Sequence, residues 1–427
     1  MIGKLSITSL SDDVLSISNF GIPRIFAYNL VFHDARRAIL TFAILIFKYF
    51  PFGGMQRDML RTAENLVGLG HQVDIFTMQW NAEMPAAINV HVLPQAGLFN
   101  YVRYKKFIKE AFAHIEKNQT DYIIGYNRMA GLDAHFAADP CFIERAHGQR
   151  SFFYRLLPRY HWFVDCEKAI FSKDSKTEVL AVSLTEKANF QKWYGIQDAR
   201  YHYIPPFLSS ERFANGKLVI ESKEACRAYL TKAFDCNQDD FVFLLTGSGF
   251  AIKGLDRAIL ALAALPEALR LKTKLVAVGQ DNPKIFAKMA TKLGVKNQVI
   301  ISKGRPDIPQ LMQGADVAIH PAYRENTGLV ILEAIACGLP VLVTQSCGYA
   351  QHVTEANAGV VHSMPFDQAR FNAEFLAMRS SSHLIEYTKN GLAYAQTIMK
   401  NNDGSAEAKI LISLAEKKLS DLSKPLH

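Results

Sequence analysis

Short apolar runs recur along this 427-residue chain, each followed by a stretch with helical spacing. The run over 39–47 leads through a loop to 56–69, where Met59, Leu60, Ala63, Leu66 and Val67 share one side and Gly70 marks the stop. Further runs lie at 73–78, 89–93, 122–125 and 179–183, with helical stretches over 101–117 and 184–194. Runs buried on both faces and alternating with helices make a parallel sheet covered on two sides. Pro205 and Pro206 interrupt the pattern, and 209–240 is charged and poorly patterned. The alternation then restarts, with strands at 241–246, 275–278, 299–302, 317–320 and 340–344 and helices at 255–265, 285–293, 308–312 and 329–336. Two doubly wound α/β domains follow, with a ligand crevice at the carboxyl ends of the strands.

The expected division is an extension over 1–38, an N-terminal domain over 39–206, a C-terminal domain over 207–383 and helices over 384–427 that pack back toward the first domain. Residues 1–38 lack the ordered basic, apolar and small-residue regions of a secretory signal. The ten-residue run 38–47 is too short to span a bilayer. A net charge of +8 suits a phosphorylated ligand, an anionic membrane face or nucleic acid. Without a Lys/Arg run, nucleic acid is the weakest of the three. The six cysteines fit no zinc spacing and read as buried small residues in a reducing compartment.

The segment 325–333, ENTGLVILE, follows the strand ending at His320. A strand, a polar loop and then a helix presents backbone N–H groups to an anion. Glu325 and Glu333 would lie ~12 Å and ~80° apart on one continuous helix, too far to address one small group. Glu325 is therefore placed on the loop and Glu333 in the helix, at opposite ends of a ligand that carries phosphate and sugar hydroxyls. In the loop 245–256, Gly247 and Gly249 precede Lys253, which stands before a helix and can neutralise a diphosphate. Gly53 and Gly54 join the first strand to the first helix, where a backbone free of side chains permits close approach; Arg57 and Asp58 follow. Asp133 and Asp139 are candidates for sugar hydroxyls, whereas His135 reads as structural. The segment 142–171 is dense in arginine and aromatic residues, among them Arg150, Phe152, Phe153, Arg155, Arg159 and Trp162. It could lie on an anionic membrane surface or be a partly buried helix.

Together, Glu325-x7-Glu333, Lys253-Gly254 and Gly53-Gly54 resemble the retaining glycosyltransferases of family 4, which have the two-domain GT-B architecture. The strings at 48–58 (KYFPFGGMQRD), 136–139 (FAAD), 153–156 (FYRL), 278–281 (VGQD) and 347–350 (CGYA) are similar to the branch that builds the lipopolysaccharide core. The resemblance covers roughly 40–400. It implies UDP-glucose as donor, a heptose of the inner core as acceptor, no metal, and peripheral attachment to the cytoplasmic face of the bacterial inner membrane through 142–171. By the same resemblance, Lys253, Glu325 and Asp139 are catalytic. Gly53, Gly54, Gly249, Asn326, Thr327, Gly328, Leu329 and Glu333 bind the donor, while Asp58, Arg57 and Asp133 bind the acceptor. The sequence departs from the family at Ile252, where an arginine usually precedes the lysine, and at Phe207, where a glycine often follows the two prolines. Two alternatives are an epimerase of the same architecture, which would interconvert UDP-sugars without an acceptor, and a non-catalytic protein that binds a sugar nucleotide or a membrane surface.

Overall fold

The computed structural model describes residues 39–423 apart from 52, 209–221 and 402. The extension expected over 1–38 lies outside the described residues. Seven strands form the first sheet: β1 (Thr41–Ile46), β2 (Gln72–Thr77), β3 (Asn89–Val92), β4 (Tyr122–Gly125), β5 (Ala134–Ala137), β6 (Glu178–Ala181) and β7 (Tyr201–Tyr203). Their order is β3-β2-β1-β4-β5-β6-β7. Six strands form the second: β8 (Phe241–Thr246), β9 (Thr273–Val278), β10 (Val299–Ser302), β11 (Val317–His320), β12 (Val341–Thr344) and β13 (Gly359–His362), ordered β10-β9-β8-β11-β12-β13. Every strand pairing among the described residues is parallel. The fold is the α/β, two-sheet GT-B arrangement.

Central strands are buried on both faces because helices cover both. Phe42, Ala43, Ile44, Leu45 and Ile46 of β1 are all inaccessible, with alternate residues packed into cores on opposite sides. The helix Gly54–Gly68 lays Met59, Ala63 and Leu66 on the β1 side. His71 receives the Leu40 N–H on Nδ1 at 3.2 Å and packs edge-on against Phe42, joining that helix to the sheet. Burying a side chain such as Leu66 contributes about 1.5–3 kcal/mol.

Periodicity misses three strands, all short. β5 reads AHFA, whose alanines carry little hydrophobic signal, yet all four residues are buried. β7 and β13 are similarly brief. Part of the stretch read as unpatterned is the helix Lys223–Phe234, opened by the Ser222 hydroxyl accepting from the Ala225 N–H at 3.1 Å. Cys226, Leu230 and Phe234 form its buried side.

The two last helices divide their allegiance. Leu384–Asn401 packs through Tyr394, Ala395 and Ile398 into the core of the second sheet, whereas Ala406–Ser423 places Ala408, Leu411, Ile412 and Ala415 in the core of the first.

Candidate active site

The second sheet reverses its strand order between β8 and β11, which are direct neighbours. Loops leaving the carboxyl ends of such a pair diverge to opposite sides and open a crevice. The connection after β8 carries Lys253, at the end of a four-residue helical turn Phe250–Lys253, and the loop after β11 carries Glu325. Although 72 positions apart in sequence, Lys253 Nζ donates to Glu325 Oε2 at 2.5 Å. Gly254, with φ of +76°, lets the chain turn directly after the lysine; a Cβ there would come within 2.1 Å of the Pro321 carbonyl oxygen. The Ile252 carbonyl accepts the Tyr323 N–H at 2.8 Å, tying the two loops together. Gly249 donates its N–H to Asp281 Oδ2 at 2.6 Å, so this glycine of the lysine loop is held by the segment after β9.

His320, the last residue of β11, completes the cluster, its Nε2 3.4 Å from Glu325 Oε2. Burial pulls the His320 pKa down, while Glu325 opposes that shift. Burial raises the Glu325 pKa, but the His320 ring and the Lys253 charge outweigh it and hold the carboxyl down at about 2. Glu325 is thus ionised throughout the neutral range, hydrogen-bonded to the Lys253 ammonium. Sequence does not single out His320; its one signal is a polar residue at the carboxyl end of a buried strand.

The helix bearing Glu333 begins only at Leu329, with Gly328 at its N-cap. Glu325 therefore lies on the preceding loop, as the spacing argument requires, and Glu333 is buried within the helix. The loop is pinned from behind: the Gly348 N–H donates to the Glu325 carbonyl at 3.0 Å and the Tyr349 N–H to the Thr327 carbonyl at 2.8 Å. Asn326 reaches the other sheet, its side-chain amide donating to the Ala138 carbonyl.

Opposite stands the N-terminus of the helix Gly54–Gly68. Gly53 is its N-cap, and a Cβ on Gly54 would meet nothing within 4 Å, so that position faces open space. A cavity of about 260 Å³ is lined by Gly54, Arg57, Asp58 and Arg61, by Asp139 after β5, by Pro205–Phe207, and by Thr327, Leu329 and Tyr349 from the second sheet. Asp58 Oδ1 lies 2.8 Å from Arg61 Nη1. Burial nevertheless raises the Asp58 pKa against the opposing pull of Arg61. Phe207, where a glycine was expected, stacks on the Arg61 guanidinium at 4.7 Å.

Two expected site residues lie elsewhere. Asp133 precedes β5 and so stands at the strand end remote from the crevice. Its Oδ2 accepts the Ile123 N–H at 2.8 Å and Lys418 Nζ at 2.7 Å, a structural cap and not an acceptor contact. Trp162 is buried with Phe107, Leu132 and Cys166, so it is not available to a membrane. The segment around it is three pieces, a helix Phe142–Gln149, a 3-10 turn Phe152–Leu156 and a helix Pro158–Phe171. Phe152 and Phe153 are 66% and 75% exposed on the turn. Arg155 donates to the His147 carbonyl at 3.3 Å, while Arg150 and Arg159 lie over the Tyr154 and Phe163 rings at 5.6 and 5.5 Å.

Two parallel sheets with a lysine–glutamate pair at the switch point of the second, facing a glycine-opened helix of the first, define a GT-B glycosyltransferase. Residues 52–212 match the model described as "Glycosyltransferase Family 4" and residues 230–390 the model "Glycosyl transferases group 1". The chain belongs to this family. Lipopolysaccharide glucosyltransferase WaaG of Escherichia coli (strain K12) is 37% identical over 361 residues, spanning 83% of this chain and 94% of its own length. The crystal structure of WaaG, a glycosyltransferase involved in lipopolysaccharide biosynthesis, superposes with a TM-score of 0.77 at 35% identity, covering 90% of this chain and all of that one. A sucrose-phosphate synthase from Thermosynechococcus elongatus shares the fold with a TM-score of 0.71 at 18% identity, over 90% of this chain and all of its own.

Proposed function

We propose that the protein transfers glucose from UDP-glucose to a heptose of the lipopolysaccharide inner core, with retention at the anomeric carbon. The observation that carries this reading is the Lys253–Glu325 pair at the β8/β11 switch point, in a chain 37% identical to a lipopolysaccharide glucosyltransferase. Lys253 and the N–H groups of 326–329 neutralise the diphosphate as it leaves. Glu333 accepts the ribose hydroxyls and Glu325 contacts the transferred sugar. Gly53, Gly54 and Gly249 allow close approach of the donor. Arg57, Asp58 and Asp139 position the acceptor across the cleft.

Retention follows from attack on the face the diphosphate leaves. The bond from the acceptor oxygen to the anomeric carbon forms as the bond to the diphosphate oxygen breaks, and the acceptor proton passes to that departing oxygen. Such a route asks for positioning and charge stabilisation and no protein nucleophile. Charge stabilisation comes from Lys253 and the helix N-terminus, without a metal. Closing the cleft over both substrates limits hydrolysis.

Membrane attachment rests on the turn Phe152–Leu156. Its exposed Phe152 and Phe153, followed by Leu156 and Leu157 at 63% and 47% exposure, form an apolar edge with Arg155 beside it. An edge of this kind inserts at a headgroup boundary while its arginine meets anionic lipid. No helix among the described residues is long and apolar enough to cross a membrane. The protein then works at the inner face of the bacterial inner membrane, with no nucleic-acid partner.

The decisive measurement is a screen of UDP-sugars against a heptose-terminated inner-core acceptor, with the product anomer determined. Glucose transfer with retention is expected. Lys253→Ala should cost about 2–4 kcal/mol in kcat/KM if the lysine stabilises the leaving group. Unchanged turnover in that variant would remove Lys253 from the mechanism, and interconversion of UDP-sugars without acceptor would replace transfer by epimerisation.

A further inference from the structure

A second cavity of about 220 Å³ adjoins the cleft, sharing Asp139 with it. Four arginines line it: Arg128, Arg145, Arg150 and Arg159. Arg128 is already engaged. Its Nε lies 3.2 Å from Glu167 Oε1, and its Nη2 donates to the Asp139 carbonyl at 3.0 Å and to the Pro140 carbonyl. Glu167, fully buried, is occupied by the N–H groups of Phe142 and Ile143 and by the Tyr194 hydroxyl, so it does not neutralise the other three.

Among the described residues Arg145 has no such carbonyl or carboxylate contact at its other nitrogens, and its Nε, like that of Arg128, is buried without a hydrogen bond. Burial lowers the Arg145 pKa, and the charges of Arg324, Arg128 and Arg150 lower it further, with Asp139 alone opposing them. Arg324 is the neighbour of Glu325 on the loop after β11, so both sheets contribute cations to this corner. Arginines gathered around one acidic side chain suit a phosphate or carboxylate, which their planar donor forks match in bidentate fashion.

We propose that this pocket is an acceptor subsite that holds a phosphate or carboxylate carried on the same sugar chain as the reacting hydroxyl. The inference rests on the acceptor reading above, because Asp139 joins the pocket to the place where that hydroxyl would lie. Arg145 and Arg150 hold the anion, while Arg128 fixes the loop at Asp139 and Pro140. Such a subsite selects acceptors by charge as well as by the sugar being modified, and it sets the acceptor's orientation before the donor arrives.

The test compares the anionic inner-core saccharide with the same saccharide after dephosphorylation and carboxyl reduction. Arg145→Gln should raise the acceptor KM roughly tenfold or more on the anionic form, as expected for loss of a charge-assisted contact. On the neutralised form it should change nothing, and the KM for UDP-glucose should stay the same on both. The wild type should itself lose a comparable factor when the acceptor is neutralised. Arg150→Gln, at a more exposed position, provides the same comparison if Arg145→Gln does not fold. Equal wild-type KM values on the two acceptors would overturn the inference, as would an equal loss by the variant on both. A variant that weakens sedimentation with phosphatidylglycerol vesicles and leaves the acceptor KM untouched would reassign the pocket to lipid headgroups. If the wild type turns over neither acceptor with any UDP-sugar, glycosyl transfer itself fails. Equilibrium binding of the two saccharides to wild type and Arg145→Gln then decides the pocket independently.

Discussion

Ile252 stands where the resemblance to the family leads one to expect an arginine. Its backbone still has a task, because its carbonyl anchors Tyr323 and so holds the lysine loop against the loop of Glu325. Its side chain is 44% exposed and makes no demand on the packing. An arginine can therefore be introduced next to Lys253 without disturbing the anchor. Ile252→Arg should lower the KM for UDP-glucose by a factor on the order of ten, the worth of one charge-assisted contact. Steady-state kinetics with varied UDP-glucose will show this; an unchanged KM would mean that the position does not face the diphosphate.

Elements place Lys253 beside Glu325, and the loops after β8 and β11 do so with almost no slack. Gly254 adopts φ of +76° with the Pro321 carbonyl pressed against the space a side chain would need. Gly254→Ala should destabilise the protein by about 1–3 kcal/mol, since both the backbone conformation and the carbonyl contact oppose it. It should also depress kcat by moving the adjacent Lys253. Gly68, near the end of a helix and with nothing within 4 Å of where a Cβ would stand, provides the control. Gly68→Ala should be neutral or stabilising by up to ~1 kcal/mol. Denaturant unfolding of the two variants separates these outcomes, and equal effects would contradict the role given to Gly254.

At the scale of the whole molecule, the last helix returns to the first sheet. Glu407 is buried there and accepts a hydrogen bond from the Tyr126 hydroxyl, 281 positions away in sequence. Burial raises the Glu407 pKa from the ordinary 4.5 to about 7, with Asp58 adding to the rise and the Tyr126 and Thr62 hydroxyls opposing it. The folded state therefore holds this proton at a pH where the unfolded chain has released it. Stability from this group is full below about pH 4.5 and declines as pH rises through about 7. Glu407→Gln should flatten that decline, so that its melting temperature exceeds the wild type's at pH 8 and the gap narrows toward pH 5. A variant that loses stability with pH as steeply as the wild type would place the dependence on another group. The apolar turn makes a separate prediction. Replacing Phe152 and Phe153 with Asp should abolish sedimentation with anionic vesicles while leaving kcat on a soluble acceptor intact. Retained sedimentation would move the membrane contact elsewhere.

Local sequence determined the two runs of strand–helix alternation, because hydrophobic spacing reflects burial on both faces of a sheet. It also determined that Glu325 lies outside the helix holding Glu333, since helical geometry separates positions eight apart. Spacing could not distinguish Asp133 from Asp139. Both flank β5, four residues long and too weakly apolar to be recognised, and the strand carries one to the remote end of the sheet and the other to the crevice. Nor could it separate Trp162, which packs inside, from Phe152 and Phe153, which do not. Only the order of strands decided that Lys253 meets Glu325, that His320 stands behind them, and that Arg145 and Arg324 approach one another from different sheets. Such contacts depend on which strands become neighbours, and that is settled by the packing of distant segments, which leaves no periodic trace in either one.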